Sequence, residues 1–172
     1  APVHSTNLSA VGPNKLQGVA GQAVIFGALP HIAEIQAAFF LQPEGRALEM
    51  PVRRACIALD GGEQAASALR ASVPLLTSCQ MVKVISVIEK PGGFPATDAL
   101  RYLSRHGIHA EYEEHERRHS TEETLAQAVA QSHAELLVMG AFGKSRMREL
   151  LFVGVTAYFL DEGTAPALLL AH

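Results

Sequence analysis

The pattern of apolar and polar residues changes its period several times along the chain, which predicts strands that alternate with helices. Short apolar or β-branched runs predict buried strands, and a run that alternates apolar with charged residues predicts a half-exposed strand at a sheet edge. The predicted strands are residues 54–59, 81–88, 108–115, 136–139 and 166–170, and the third of them carries the alternating pattern.

Segments with helical spacing of apolar residues lie between these strands, at residues 63–78, 97–105, 120–133 and 145–160. Pro74 predicts a kink or a new turn inside the first helix. Ser120 and Glu123 have the spacing of a capping box and predict the start of the third helix. The alternation indicates the α/β class, with an open, parallel, five-stranded, Rossmann-like sheet and helices on both faces.

The first fifty residues carry a weaker pattern and form a separate unit in this interpretation. Residues 5–21 are polar, contain glycine and favour a poorly ordered start. The elements predicted after them are short strands at 22–27 and 47–50 and a helix at 31–41. We therefore divide the chain into a partial, degenerate α/β half-unit at residues 1–50 and a complete domain at residues 51–172.

A glycine-containing turn after the fourth predicted strand is the strongest functional signal. Gly140 ends the apolar run and Gly143 opens the next predicted helix. Free backbone N–H groups and the positive end of a helix dipole at such a turn favour phosphate binding. The turn is not a P-loop, because that motif would need a glycine in place of Val138. Asp60 follows the first strand, so both loops face one crevice if strands one and four are neighbours.

Composition and charge narrow the classes of function. The 172-residue chain is 48% hydrophobic, has a net charge of −3 and lacks a long basic run, which argues against nucleic acid as a partner. An apolar run of about 18 residues is absent, so no membrane span is predicted. Cys56 and Cys79 are isolated, and we interpret them as small core residues in a reducing cytoplasm.

Catalytic and metal-binding interpretations have weaker support. The sequence offers no nucleophile in an elbow-like turn and no arguable Ser-His-Asp or Cys-His arrangement, so we predict no catalytic residue. His109, Glu111, Glu113 and His115 share one face of the third strand and could bind zinc. A solvated edge strand needs such residues in any case, and we therefore predict no metal site.

Three parts of the chain together resemble the universal stress protein family. They are Asp60 after the first strand, the segment Val138-Met-Gly-Ala-Phe-Gly-Lys-Ser-Arg-Met-Arg-Glu-Leu-Leu-Phe-Val-Gly-Val-Thr156, and the final Ala165-Pro-Ala-Leu-Leu-Leu-Ala-His172. The resemblance covers residues 52–172, which are similar to the second domain of bacterial tandem members of the family. Residues 31–51 resemble the degenerate tail of a first domain. The resemblance implies the strand order 3-2-1-4-5.

The resemblance also implies an adenine nucleotide in the crevice, usually ATP, with ADP or AMP as alternatives and with or without Mg. The nucleoside half would contact residues at the ends of three strands: Ala58, Leu59, Asp60, Val87 and Met139. The phosphates would contact the glycine-containing turn and the helix after it: Gly140, Gly143, Gly154, Val155 and Thr156. Any hydrolysis should be slow, because no general base is evident near the phosphate loop.

One position departs from the family pattern, in which Gly-x-x-Gly is followed after nine residues by another glycine. That glycine falls on Val153, and Gly154 takes the next place. A β-branched side chain where backbone should approach phosphate predicts weakened or absent binding. We predict a non-catalytic, ATP-binding regulator of the bacterial stress response. The alternative is the same fold after loss of nucleotide binding, acting as a dimerisation or protein-interaction module.

The last predicted strand is apolar and lies at a sheet edge in this topology. Exposed apolar edges need a covering partner. The resemblance implies antiparallel pairing with the same strand of a second chain, so we predict a cytoplasmic homodimer through Leu168 to Leu170. The alternative is pairing within the chain to residues 47–50.

Overall fold

A computed structural model describes residues 15–16, 24–25, 38–41, 48–88, 96–140, 155, 158–159 and 165–171. The strands are β1 Lys15–Leu16, β2 Val24–Ile25, β3 Ala38–Leu41, β4 Leu48–Glu49, β5 Arg54–Ala58, β6 Met81–Ile88, β7 Glu111–Glu116, β8 Leu136–Gly140 and β9 Ala167–Ala171. The helices are α1 Glu63–Leu76, α2 Thr97–Arg105 and α3 Thr121–Gln131, and Val155, Tyr158 and Phe159 are also helical.

Five parallel strands form the centre of the sheet, in the order β9-β8-β5-β6-β7. Numbered along the domain, this order is 5-4-1-2-3, the same as the predicted 3-2-1-4-5 read from the other edge. The predicted α/β class is confirmed. Two further strands extend the sheet beyond β9, so that the described sheet runs β2-β3-β9-β8-β5-β6-β7.

The helix starts and ends follow local sequence signals. Ser120 caps α3 with its Oγ, which accepts a hydrogen bond from the Glu123 N–H at 3.1 Å. Gly107 has a φ of +74° after α2, a left-handed value that favours glycine. Helix α1 continues through Pro74 and ends at Leu76, so the proline lies in its last turn. None of the described helices is long and apolar enough to cross a membrane.

Helices cover both faces of the sheet, as predicted, because each central strand buries residues on both sides. Ile57 packs in a cluster with α1 and α2, whereas its neighbour Cys56 packs in a second cluster with α3, Val155 and Phe159. Each fully buried aliphatic side chain stabilises the fold by about 1.5–3 kcal/mol. Cys56 and Cys79 are both free, and burial raises the pKa of each thiol to about 11.

The region before residue 50 corrects two predictions. Ala38–Leu41 is a strand, so the predicted helix at 31–41 is wrong for these residues. This strand pairs antiparallel with β9, with Phe40 opposite Leu169. The alternative of pairing β9 with residues 47–50 is also wrong, because β4 pairs with β1. Without β3, the backbone N–H and C=O groups along one edge of β9 would have no strand to pair with. Hydrogen bonds to these groups favour a strand at Ala38–Leu41 more than the local pattern favours a helix.

Candidate functional site

The carboxyl ends of β5, β6 and β8 lie side by side at the centre of the sheet. Ala58 is opposite Ile85 on β6, and Ile57 is opposite Val138 on β8. The chain leaves β5 toward β6 on one side, while β8 flanks β5 on the other side. This reversal of strand order creates a crevice, the usual ligand position in open α/β sheets.

Seven of the eleven predicted nucleotide-site residues lie in the part of the chain that the structure describes: Ala58, Leu59, Asp60, Val87, Met139, Gly140 and Val155. The other four, Gly143, Val153, Gly154 and Thr156, lie outside the described residues. The seven come from three strand ends and from one helical residue after β8. Their roles toward a ligand stay a prediction.

The end of β5 is held by two hydrogen bonds from β6. The Leu59 N–H donates to the Ile85 carbonyl at 2.9 Å, and the Leu59 carbonyl accepts from Ser86 Oγ at 2.8 Å. Leu59 and Ser86 are each only 6% exposed, so both bonds are shielded from water. Sequence reasoning missed Ser86. A single hydroxyl in the otherwise apolar end of a strand was the available signal.

Asp60 begins the turn that joins β5 to α1. Its side chain is exposed, and Oδ1 accepts a hydrogen bond from the Gly62 N–H at 2.7 Å. Gly61 has a φ of +77°, which explains the glycine at that position. Helix α1 starts directly after this turn, at Glu63. The carboxylate is thus held at the mouth of the crevice by a backbone donor.

Close packing requires glycine at position 140, the last residue of β8. A Cβ at this position would lie 2.6 Å from the Ala65 N atom and 2.7 Å from the Gln64 carbonyl carbon. The first turn of α1 therefore rests directly on the end of β8. This contact ties the Asp60 turn and the Gly140 strand end into one rigid unit.

The apolar site residues share one side of the sheet. Ala58, Val87, Met139 and Val155 belong to the same apolar cluster. Met139 is fully buried and Val155 is 2% exposed, whereas Ala58 and Val87 are half-buried. Ala58 and Val87 therefore keep part of their apolar surface exposed on this side of the sheet, whereas Met139 is buried within the cluster.

A second concave region lies at the sheet edge, between β7 and α3. This groove of about 420 Å³ is lined by Glu114, His115, Glu116, Arg118, Thr124, Gln127, Ala128 and Gln131. The groove is mostly polar, and two of its residues, Glu114 and His115, have partners within β7. His115 Nε2 lies 3.3 Å from Glu113 Oε2, and the Tyr112 hydroxyl donates to Glu114 Oε2 at 3.0 Å.

The charged residues of β7 pair among themselves and with β6. Lys83 Nζ donates to Glu113 Oε1 at 2.5 Å, and this hydrogen bond lowers the pKa of Glu113 and raises the pKa of Lys83. In the described part of the chain, no group of three or more His, Cys, Asp or Glu side chains could hold a metal ion. We interpret β7 as the solvated edge that its pattern predicts.

Residues 95–170 match the model of the universal stress protein family. This region of the chain is similar to that family. The match includes α2, β7, α3, β8 and most of β9, so it covers the second half of the described domain. No curated protein matches the chain.

Solved universal stress protein structures share this fold. A protein of the family from Burkholderia pseudomallei is 21% identical, covers 70% of this chain and 96% of its own, and has a TM-score of 0.53. A universal stress protein from Archaeoglobus fulgidus in complex with dAMP is 16% identical, with coverages of 72% and 100% and a TM-score of 0.52. A universal stress protein in complex with cAMP is 16% identical, with coverages of 71% and 98% and a TM-score of 0.50. At these identities the similarity shows the fold.

Proposed function

We propose that this chain is a universal stress protein and binds an adenine nucleotide in the crevice at the ends of β5, β6 and β8. The main support for this proposal is the rigid unit in which Gly140 packs on the first turn of α1, beside the Asp60 turn. Such a unit presents an acceptor and two apolar side chains, Ala58 and Val87, at a switch point of the sheet. Relatives of the same fold are complexes with dAMP and cAMP, which supports the adenine nucleotide class.

The physiological ligand in this proposal is ATP, with ADP and AMP as alternatives, and Mg accompanies the phosphates. The protein acts as a non-catalytic regulator of the bacterial stress response that reports nucleotide occupancy to a partner. Hydrolysis is slow or absent, because the described crevice residues include no general base other than the hydrogen-bonded Asp60. The two free cysteines support a place in the reducing cytoplasm.

Calorimetric titration of the wild-type chain with ATP, ADP and AMP, with and without Mg, tests this proposal. Micromolar binding of at least one nucleotide is expected. A parallel titration of Val153→Gly measures the cost of the departure from the family pattern, and tighter binding than wild type is expected. If wild type binds no nucleotide and Val153→Gly does, the wild-type site has lost its ability to bind the ligand.

The second candidate function is an interaction module that uses the β9 edge of the sheet. All five residues of β9 are buried, and β3 covers the edge that a second chain would need. We therefore propose that a homodimer through Leu168 to Leu170 forms only when β3 leaves this edge. Light scattering of a chain that begins at residue 48 should show self-association, whereas the full chain should be monomeric through this edge. A soluble monomer of the shortened chain would contradict the proposal.

A further inference from the structure

We propose that Gly62 is a positioning residue for the nucleotide, which acts by setting the direction of the Asp60 carboxylate. The inference rests on the proposed function and deepens it. The carboxylate accepts a hydrogen bond from the nucleoside half of the ligand. Gly62 orients the carboxylate for this hydrogen bond in two ways.

The first contribution of Gly62 is its N–H group, which holds Asp60 Oδ1 at 2.7 Å. An ionised carboxylate has about four lone-pair positions. Within the described residues, the remaining positions have no hydrogen-bond donor. A fixed, exposed acceptor with unused capacity can meet a donor on a ligand without a rearrangement of its own.

The second contribution is the missing side chain. A Cβ at Gly62 would lie 3.0 Å from Asp60 Oδ1 and 3.3 Å from Oδ2, so the carboxylate lies directly over this position. Gly62 has a φ of −82° and a ψ of 162°, an extended conformation that any residue adopts. Its backbone thus does not require glycine, in contrast to Gly61 with a φ of +77°. An alanine at 62 would instead push the Asp60 carboxylate away by a few tenths of an ångström.

The chemistry of a carboxylate selects the part of the ligand that it meets. It accepts hydrogen bonds only, and it repels phosphate oxygens. Its partner is therefore a hydrogen-bond donor of the nucleoside, which is either a ribose hydroxyl or the amino group of adenine. The two sources share one chemistry and can be separated with analogues that lack one donor at a time.

A double-mutant cycle on the full chain tests the role of Gly62. Dissociation constants are measured for wild type, Gly62→Ala, Asp60→Ala and the double variant, with whichever of ATP, ADP and AMP binds wild type. Gly62→Ala should weaken binding about threefold to tenfold, since it displaces one charge-assisted hydrogen bond. In the Asp60→Ala background the same change should leave the affinity within about twofold, because no carboxylate remains to be displaced.

Analogues then identify the donor. The 2′-deoxy, 3′-deoxy and 6-deamino (purine riboside) forms of the nucleotide each lack one donor group, and one of them should bind wild type weakly. That analogue should lose no further affinity with Asp60→Ala. Asp60→Ala could instead weaken the binding of all three analogues as much as it weakens the binding of the parent nucleotide. That result would contradict a hydrogen bond between Asp60 and the nucleoside.

Gly107→Ala is the matched control, because Gly107 has a left-handed φ, no atom within 4 Å of an added Cβ, and a position after α2. It should lower the melting temperature and leave nucleotide affinity unchanged. An equal loss for Gly62→Ala in both backgrounds, or no loss in either, would overturn the role of Gly62 alone. A wild-type chain that binds no nucleotide would overturn the proposed function, and this inference with it.

Discussion

The crevice at the centre of the sheet and the groove between β7 and α3 use polar residues in opposite ways. In the groove, Glu114 and His115 contact other side chains of β7. In the crevice, the Asp60 carboxylate is held by a backbone N–H and keeps unused acceptor positions among the described residues. Side chains that hydrogen-bond one another need no ligand, whereas a fixed acceptor at a switch point is available to one.

The two regions also differ in rigidity. The crevice rests on a contact between backbones, since a Cβ at Gly140 would meet Ala65 N at 2.6 Å. The groove rests on long side chains at a sheet edge. Substitutions in the crevice should therefore alter both stability and nucleotide affinity, whereas substitutions at β7 should alter stability alone and only slightly.

The largest effect is expected for Gly140→Ala. The added Cβ must push the first turn of α1 away from β8, and overpacking of this kind costs about 1–3 kcal/mol. Nucleotide affinity should fall as well, because the Asp60 turn moves with α1. Urea unfolding and calorimetric titration measure the two effects. Wild-type stability in this variant would contradict the close contact between α1 and β8.

A smaller effect is expected for Ser86→Ala. The variant leaves the buried Leu59 carbonyl without its side-chain donor, which should cost about 1–2 kcal/mol of unfolding free energy. Affinity should fall modestly, since Leu59 directly precedes Asp60. Ser132→Ala is a suitable control, because its buried hydroxyl donates to the Ala128 carbonyl at 3.0 Å near α3 and away from the crevice. Equal affinity losses in both variants would remove the special role of Ser86.

The smallest effect is expected for Glu113→Gln at the edge. Its partly exposed pair with Lys83 should contribute less than about 1 kcal/mol. Because Lys83 lowers the pKa of Glu113 in the folded state, this stability is present above the ordinary glutamate pKa. It should vanish as the pH falls through the lowered pKa. Unfolding of both proteins between pH 7 and pH 3 measures this, and nucleotide affinity at pH 7 should be equal.

The central domain could be predicted from the sequence because its strands and helices carry strong periodic patterns. The buried strand β8 and the alternating strand β7 each follow from a local pattern, and the parallel order follows from their alternation with helices. The segment Ala38–Leu41 could not be assigned in this way. Its conformation depends on β9, which is more than a hundred residues away.

The candidate site was predictable only in part. Asp60 and Gly140 stand out because they end apolar runs. Ser86 does not stand out, since its importance comes from a contact with Leu59 that only the folded chain brings together. The packing of Gly140 against α1 is likewise a property of the tertiary structure. The contact of Gly62 with Asp60 is local, and the Asp-Gly-Gly sequence was its available signal. Val153, Gly154 and Thr156 stay predictions from the family resemblance.

Amide hydrogen exchange of the wild-type chain, with and without a saturating adenine nucleotide, compares the two regions most directly. Nucleotide in the crevice should slow exchange in peptides that contain residues 58–62 and 139–140 and leave it unchanged in peptides from Glu114 to Gln131. Protection confined to the groove peptides, with none at the Asp60 turn, would contradict the assignment of the crevice as the nucleotide site.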